Sequence, residues 1–167
     1  MVGVAMAVIL SRARPTARCV LHTHMPYATA VAMTDAGLDT RASQNAMYFH
    51  GSVVRVPFGG LADGAEEGDR LAGAIRDGAT VAFLDNHGVL VIGRTPADAW
   101  HKLYMLERAC QTDVLAASTG RTLIRVPDDV AAHTAAQWER EAADGAADAV
   151  FAAERRLLER ESPGFLD

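Results

Sequence analysis

Between Thr80 and Ile92 the chain reads Thr-Val-Ala-Phe-Leu, then Asp-Asn-His-Gly, then Val-Leu-Val-Ile. Short apolar runs parted by residues that favour a tight turn read as buried strands, and the break between them as a hairpin with His87 at its tip. This fixes part of a sheet, and the rest of the chain has to supply the elements around it. Arg18-Cys-Val-Leu-His-Thr-His24 is another short apolar run ending in polar residues, so a further buried strand is expected there. Pro26 stands where a helix can begin, Tyr27 to Met33 continues it with helix formers, and Gly37 closes it. Residues 45–56 are mixed in character, Val53 to Val56 favour strand, and Pro57-Phe-Gly-Gly60 is a turn.

Glu66 to Arg76 predicts a short helix with Leu71, Ala74 and Ile75 on one face and Gly78 as its stop. The clearest helix follows the hairpin. Thr95 is a good N-cap, Pro96 falls at the first helical position, and Asp98 completes a Thr-x-x-Asp capping box. Trp100, Leu103, Leu106, Cys110 and Val114 recur at spacings of three and four, a core-facing stripe that ends at Gly120. Thr122 to Val126 reads as extended. Pro127-Asp128 opens a further helix, and Ala147 to Glu161 forms the last one before Ser162-Pro-Gly164. Strands alternating with helices predict an α/β sandwich. One domain over residues 1–167 is expected, with 127–167 as a helical C-terminal tail.

Half of the residues are apolar and 22% are charged, a globular balance rather than a disordered one. The net charge is −5 with acids and bases interspersed, so no basic stripe points to nucleic acid. Cys19 and Cys110 have no paired spacing, which argues against a disulfide framework and for a reducing, cytoplasmic setting. The apolar start, Met1 to Leu10, has its basic residues after the run instead of before it and is too short to span a bilayer. It reads as a buried helix turn or strand of a soluble protein with no membrane partner.

His22 and His24 are the first candidates for chemistry. On a strand, residues i and i+2 share a face, so the two imidazoles project together and can hold one metal ion. Two ordinary histidines would also read this way. The position at the end of an apolar strand, where α/β folds place ligand sites, favours the metal. His87, at the strand break, is the best third ligand. His50, His101 and His133 have no partners at ligand spacing and read as surface or core-edge residues. Tyr48 reads as a packed aromatic, with a proton donor as the alternative. Cys110 lies on an apolar helix stripe without a paired histidine and reads as core.

Val20-Leu-His-Thr-His-Met-Pro-Tyr-Ala-Thr29, followed by Asp85-Asn-His-Gly-Val-Leu-Val-Ile-Gly93, resembles the class II aldolase/adducin family. The resemblance continues through Arg94-Thr-Pro-Ala-Asp-Ala-Trp100 into Leu106-Glu-Arg-Ala-Cys110 and extends more loosely from Ala7 to Asp167. It implies a three-layer α/β/α sandwich, a homotetramer with sites at subunit interfaces, and a divalent metal held by His22, His24 and His87. Zinc is the expected ion, with manganese, cobalt and iron as alternatives. Family aldolases place an acidic proton carrier upstream of the His-x-His, and that position falls on Gly3. Their glycine-rich phosphate-binding region lies further upstream, so a member lacking its N-terminal portion is expected, with a degenerate member as the alternative, and no catalytic residue is assigned. Gln44 to Gly51 and the Leu106 to Cys110 run look closest to the adducin-like bacterial branch.

The implied activity is retro-aldol cleavage or decarboxylation of a small oxygenated carbonyl compound through a metal-stabilised enolate. Two alternatives stand beside it: a non-haem iron oxygenase on the same histidines, or a non-catalytic adducin-like interaction module.

Overall fold

A computed structural model of the chain describes residues 17–60, 70–71, 73–75 and 78–165. Its strands are β1 (Cys19–Thr23), β2 (Val53–Val56), β3 (Val81–Leu84) and β4 (Gly88–Gly93), and among the described residues they form one sheet in the order β1-β4-β3-β2. β3 and β4 are the expected antiparallel hairpin, with Leu84 opposite Gly88 and Asp85 to His87 in the turn. His87 N–H donates to the Leu84 carbonyl at 3.0 Å, and Asn86 takes a φ of 56°. Asparagine tolerates that left-handed conformation better than most residues. β1 joins β4 antiparallel and β2 joins β3 parallel, so the sheet is mixed.

The apolar runs are explained by what covers the sheet. Successive strand side chains alternate between faces. Val81, Phe83, Val89 and Val91 pack on one side with Val31, Phe49, Leu106 and Cys110. Those partners come from helices α1 (Pro26–Ala32) and α3 (Pro96–Ala117) and from the segment after the short helix α2 (Gln44–Met47). Ala82, Leu84, Leu90 and Ile92 pack on the other side with Val56, Leu71 and Ile75. A strand covered on both faces has no position left for water, hence the unbroken apolar runs. The result is helix, sheet, helix, an α/β fold of three layers. Each fully buried Phe or Leu contributes about 1.5–3 kcal/mol.

Several expectations need correction. β1 is half-buried along its length, because it lies at the edge of the described sheet. α1 ends at Ala32, and Gly37 lies beyond it in the following loop. The helix expected over 66–76 falls largely outside the described residues; positions 70, 71, 73 and 74 are helical, and Leu71 and Ile75 are buried. Residues 122–126 form no strand, although Val126 N–H bonds the Arg41 carbonyl at 3.1 Å. The segment Met1 to Leu10 lies outside the described residues.

On α3, Leu106 and Cys110 are core, with Leu103 and Val114 at its margin. Trp100 leaves the stripe: it stacks on Tyr104 at 5.7 Å and meets Phe151 edge-on at 5.8 Å. Phe151 belongs to α5 (Ala146–Glu161), which follows α4 (Asp128–Ala143). The cap of α3 is half as expected. Thr95 Oγ1 accepts from Asp98 N–H at 3.1 Å, but the Asp98 carboxylate reaches past Thr95 to Arg94 N–H at 2.8 Å. Among the described residues no helix is long and apolar enough to cross a membrane.

Candidate metal centre

β1 and the β3–β4 hairpin bring His22, His24 and His87 into one place. His22 lies opposite Leu90 in the ladder and therefore shares its face. His24 follows β1 with the same parity, and His87 closes the turn just before β4. The three ring centroids stand 4.9, 4.9 and 4.7 Å apart, and one nitrogen from each ring lies within 4.8 Å of the others.

His22 donates its Nδ1–H to the Val89 carbonyl at 3.0 Å. That bond sets the tautomer and leaves Nε2 as the lone-pair nitrogen. His22 Nε2 lies 3.1 Å from His24 Nε2. A tetrahedral ion with metal–nitrogen bonds of about 2.0–2.1 Å spaces its ligands about 3.3–3.4 Å apart, so these donors fit such an ion. Burial pushes the His22 imidazole below its usual pKa and the nearby His87 and His24 push the same way, against the pull of the Val89 bond. A ring held neutral is the form that ligates a metal.

The glycine after His87 has a geometric reason. A Cβ on Gly88 would stand 2.5 Å from the Thr23 carbonyl oxygen and 2.8 Å from His24 Cδ2. Only a residue without a side chain lets the end of β1 and the His24 ring pass this close.

Two supports were not legible as functional residues in the sequence. Glu107, buried on α3, caps α1: its two oxygens accept Tyr27 N–H at 3.0 Å and Ala28 N–H at 2.8 Å. Pro26, at the first helical position, has no N–H, and Thr29 N–H returns to the Met25 carbonyl at 2.8 Å. The backbone N–H groups of Tyr27, Ala28 and Thr29 in the first turn after His24 are thus all paired. The signal was an acid at the spacing Leu103, Glu107, Cys110, Val114, on an otherwise apolar stripe. The second support is Phe58, an exposed ring set edge-on to His87 at 6.3 Å, in the segment read only as a turn.

The other candidates stay apart from the cluster. His50 bonds Thr40 Oγ1 at 3.0 Å and faces Asp128 at 3.5 Å. His101 is buried on α3 and His133 is exposed on α4. Tyr48 stacks against Phe49 and Trp138 at 5.0 and 5.2 Å, and burial pushes its phenol far up, the state of a packed aromatic. Cys110 is a free, fully buried thiol, likewise pushed up by burial. Gly3 lies outside the described residues.

Residues 6–114 match the family described as the class II aldolase and adducin N-terminal domain. A Pseudomonas aeruginosa protein named for the class 2 aldolases is 34% identical over 119 residues, 71% of this chain and 45% of that protein. Human beta-adducin is 34% identical over 109 residues, 64% of this chain and 14% of its own length. The crystal structure of an aldolase II superfamily protein from Pseudomonas syringae superposes with a TM-score of 0.89 at 30% identity, covering 99% of this chain and 65% of that one. For L-fuculose 1-phosphate aldolase from Glaciozyma antarctica PI12 the TM-score is 0.66 at 26% identity, covering 81% of this chain and 50% of that one. The chain spans about half the length of the curated relatives it matches.

Proposed function

This chain belongs to the class II aldolase and adducin family, and on that premise we propose that it is a divalent-metal-dependent, aldolase-type lyase acting on a small oxygenated carbonyl compound. The observation that carries the reading is the convergence of His22, His24 and His87. A pure scaffold has no need to aim three imidazoles at one point. This donor set suits zinc best, with manganese, cobalt or iron as alternatives. Held by three neutral ligands, a divalent ion keeps its full charge and supplies a Lewis acid for the oxygen that gains negative charge when a carbon–carbon bond beside a carbonyl breaks or forms. The chain's own residues orient that site: Val89 holds the His22 ring, Gly88 lets His24 close on it, and Phe58 places an apolar wall beside His87.

The same reading carries a single domain, a homotetramer that completes each site between subunits, and a cytoplasmic setting, which the free thiols Cys19 and Cys110 support. Similarity to human beta-adducin favours one other reading, a non-catalytic interaction module. One assay separates them. The zinc-loaded chain is incubated with a panel of small aldols, L-fuculose 1-phosphate among them, and released carbonyl product is followed. Release that stops with a chelator and in His87→Ala supports the lyase. A chain that holds zinc stoichiometrically and releases nothing from aldols or β-keto acids supports the adducin-like module.

A further inference from the structure

His22 lies on β1 and His24 between β1 and α1, whereas His87 sits in the three-residue turn between β3 and β4. Asp85 N–H bonds the Val56 carbonyl at 2.9 Å and Asn86 N–H bonds the Ala32 carbonyl at 3.2 Å, so the turn is tied to both β2 and the end of α1. Arg55, on β2, strengthens both ties at once. Its Nε and Nη2 donate to Asp85 Oδ1 at 3.0 and 2.6 Å. Its Nη1 donates to the Thr34 carbonyl at 2.5 Å and the Asp35 carbonyl at 3.3 Å, and Nη2 also reaches the Ala32 carbonyl at 3.4 Å.

These contacts close a loop through the metal site. α1 begins two residues after His24, its start is capped by Glu107, and its last residue and the loop just beyond it deliver the carbonyls that Arg55 grips. From there the guanidinium passes to Asp85, two residues before His87. The planar fork of arginine is what allows one side chain to bond a carboxylate and three carbonyls in different directions; a lysine ammonium cannot span them. The pair is half-buried, so its contacts compete with water only in part.

We propose that Arg55 is a positioning residue for the third ligand: acting through Asp85, it sets the turn that holds the His87 ring against His22 and His24. The inference rests on the metal reading given above. Groups that orient a ligand without touching the ion commonly change metal affinity about 10- to 100-fold.

The test is a double-mutant cycle on zinc affinity, measured on the whole purified chain by competition with a chromophoric chelator. Arg55→Met is expected to weaken zinc binding about tenfold in the wild-type background, with Arg55→Lys in between. In a His87→Ala background, where only His22 and His24 remain, Arg55→Met should change the residual affinity little. A comparable loss in both backgrounds would mark general loosening and overturn the proposal, as would an Arg55→Met chain that binds zinc like the wild type. Should Arg55→Met fail to fold, Asp85→Asn is carried through the same cycle with the same two expectations. A wild-type chain that takes up no zinc overturns the metal reading, and this inference with it; normal uptake with an indifferent Arg55 overturns this inference alone.

Discussion

Replacing Glu107 by alanine should be among the most damaging single changes outside the apolar core. Its carboxylate accepts Tyr27 N–H at 3.0 Å and Ala28 N–H at 2.8 Å, the first two donors of α1. Glu107 is 8% exposed and Ala28 is fully buried, so water cannot replace the lost acceptor at Ala28 and reaches Tyr27 only in part. A hydrogen bond to a charged group contributes about 1.5–3 kcal/mol, and a buried donor left unpaired costs about 1–3 kcal/mol. With Tyr27 partly rehydrated, Glu107→Ala should cost about 3–4 kcal/mol, several times the cost of removing an ordinary exposed N-cap. Glu107→Gln keeps one acceptor oxygen but turns its amide donors toward a backbone donor, and should cost about 2 kcal/mol. Urea unfolding reads both, as a fall in midpoint at unchanged slope. A loss below about 1 kcal/mol for Glu107→Ala would refute the reasoning, because it would mean that α1 finds another cap or does not need one.

Other perturbations test other parts of the account. Gly88→Ala drives a methyl group into the Thr23 carbonyl and the His24 ring, and should weaken zinc binding about tenfold or more while the helical circular dichroism stays; unchanged affinity by competition titration would show that the close passage is dispensable. Asp98→Ala removes the carboxylate 3.2 Å from Lys102, leaving that buried ammonium, among the described residues, Glu139 at 3.7 Å, and should cost about 3–4 kcal/mol in denaturant unfolding. His101 is held below its ordinary value of 6.5 by burial and by Lys102, against the pull of Asp98. The unfolded chain therefore binds more protons near that pH, and stability is lost as pH falls through 6.5. His101→Leu should flatten the stability profile between about pH 7.5 and 5, and an unaltered slope would count against the assignment.

What was legible in the sequence divides along physical lines. The hairpin and the start of α3 were readable because local chemistry decides them: an Asp-Asn-His-Gly break between apolar runs, and Thr95-Pro96 ahead of a periodic stripe. The three histidines were readable for the same reason, two by strand parity and one by its place in a turn. The supports were not. Arg55 and Asp85 are far apart in the chain and neither has a local signature, so only the tertiary arrangement makes them a pair. Glu107 looked like one polar residue within a family-like run, and its role depends on a helix eighty residues earlier arriving at its carboxylate. Trp100 followed the helical period yet faces α5, because a long helix contacts more than one layer and periodicity does not say which. β1 was read as a buried strand because it is a short apolar run; being at the edge of the described sheet is a property of topology, not of composition.

The most direct test of the central claim is the metal content of the purified chain by elemental analysis, beside the His22→Ala, His24→Ala double variant. The account predicts about one divalent ion per chain, zinc foremost, retained through dialysis and lost in the variant. A wild-type chain that remains without metal after zinc reconstitution, or a variant that keeps its ion, would contradict it.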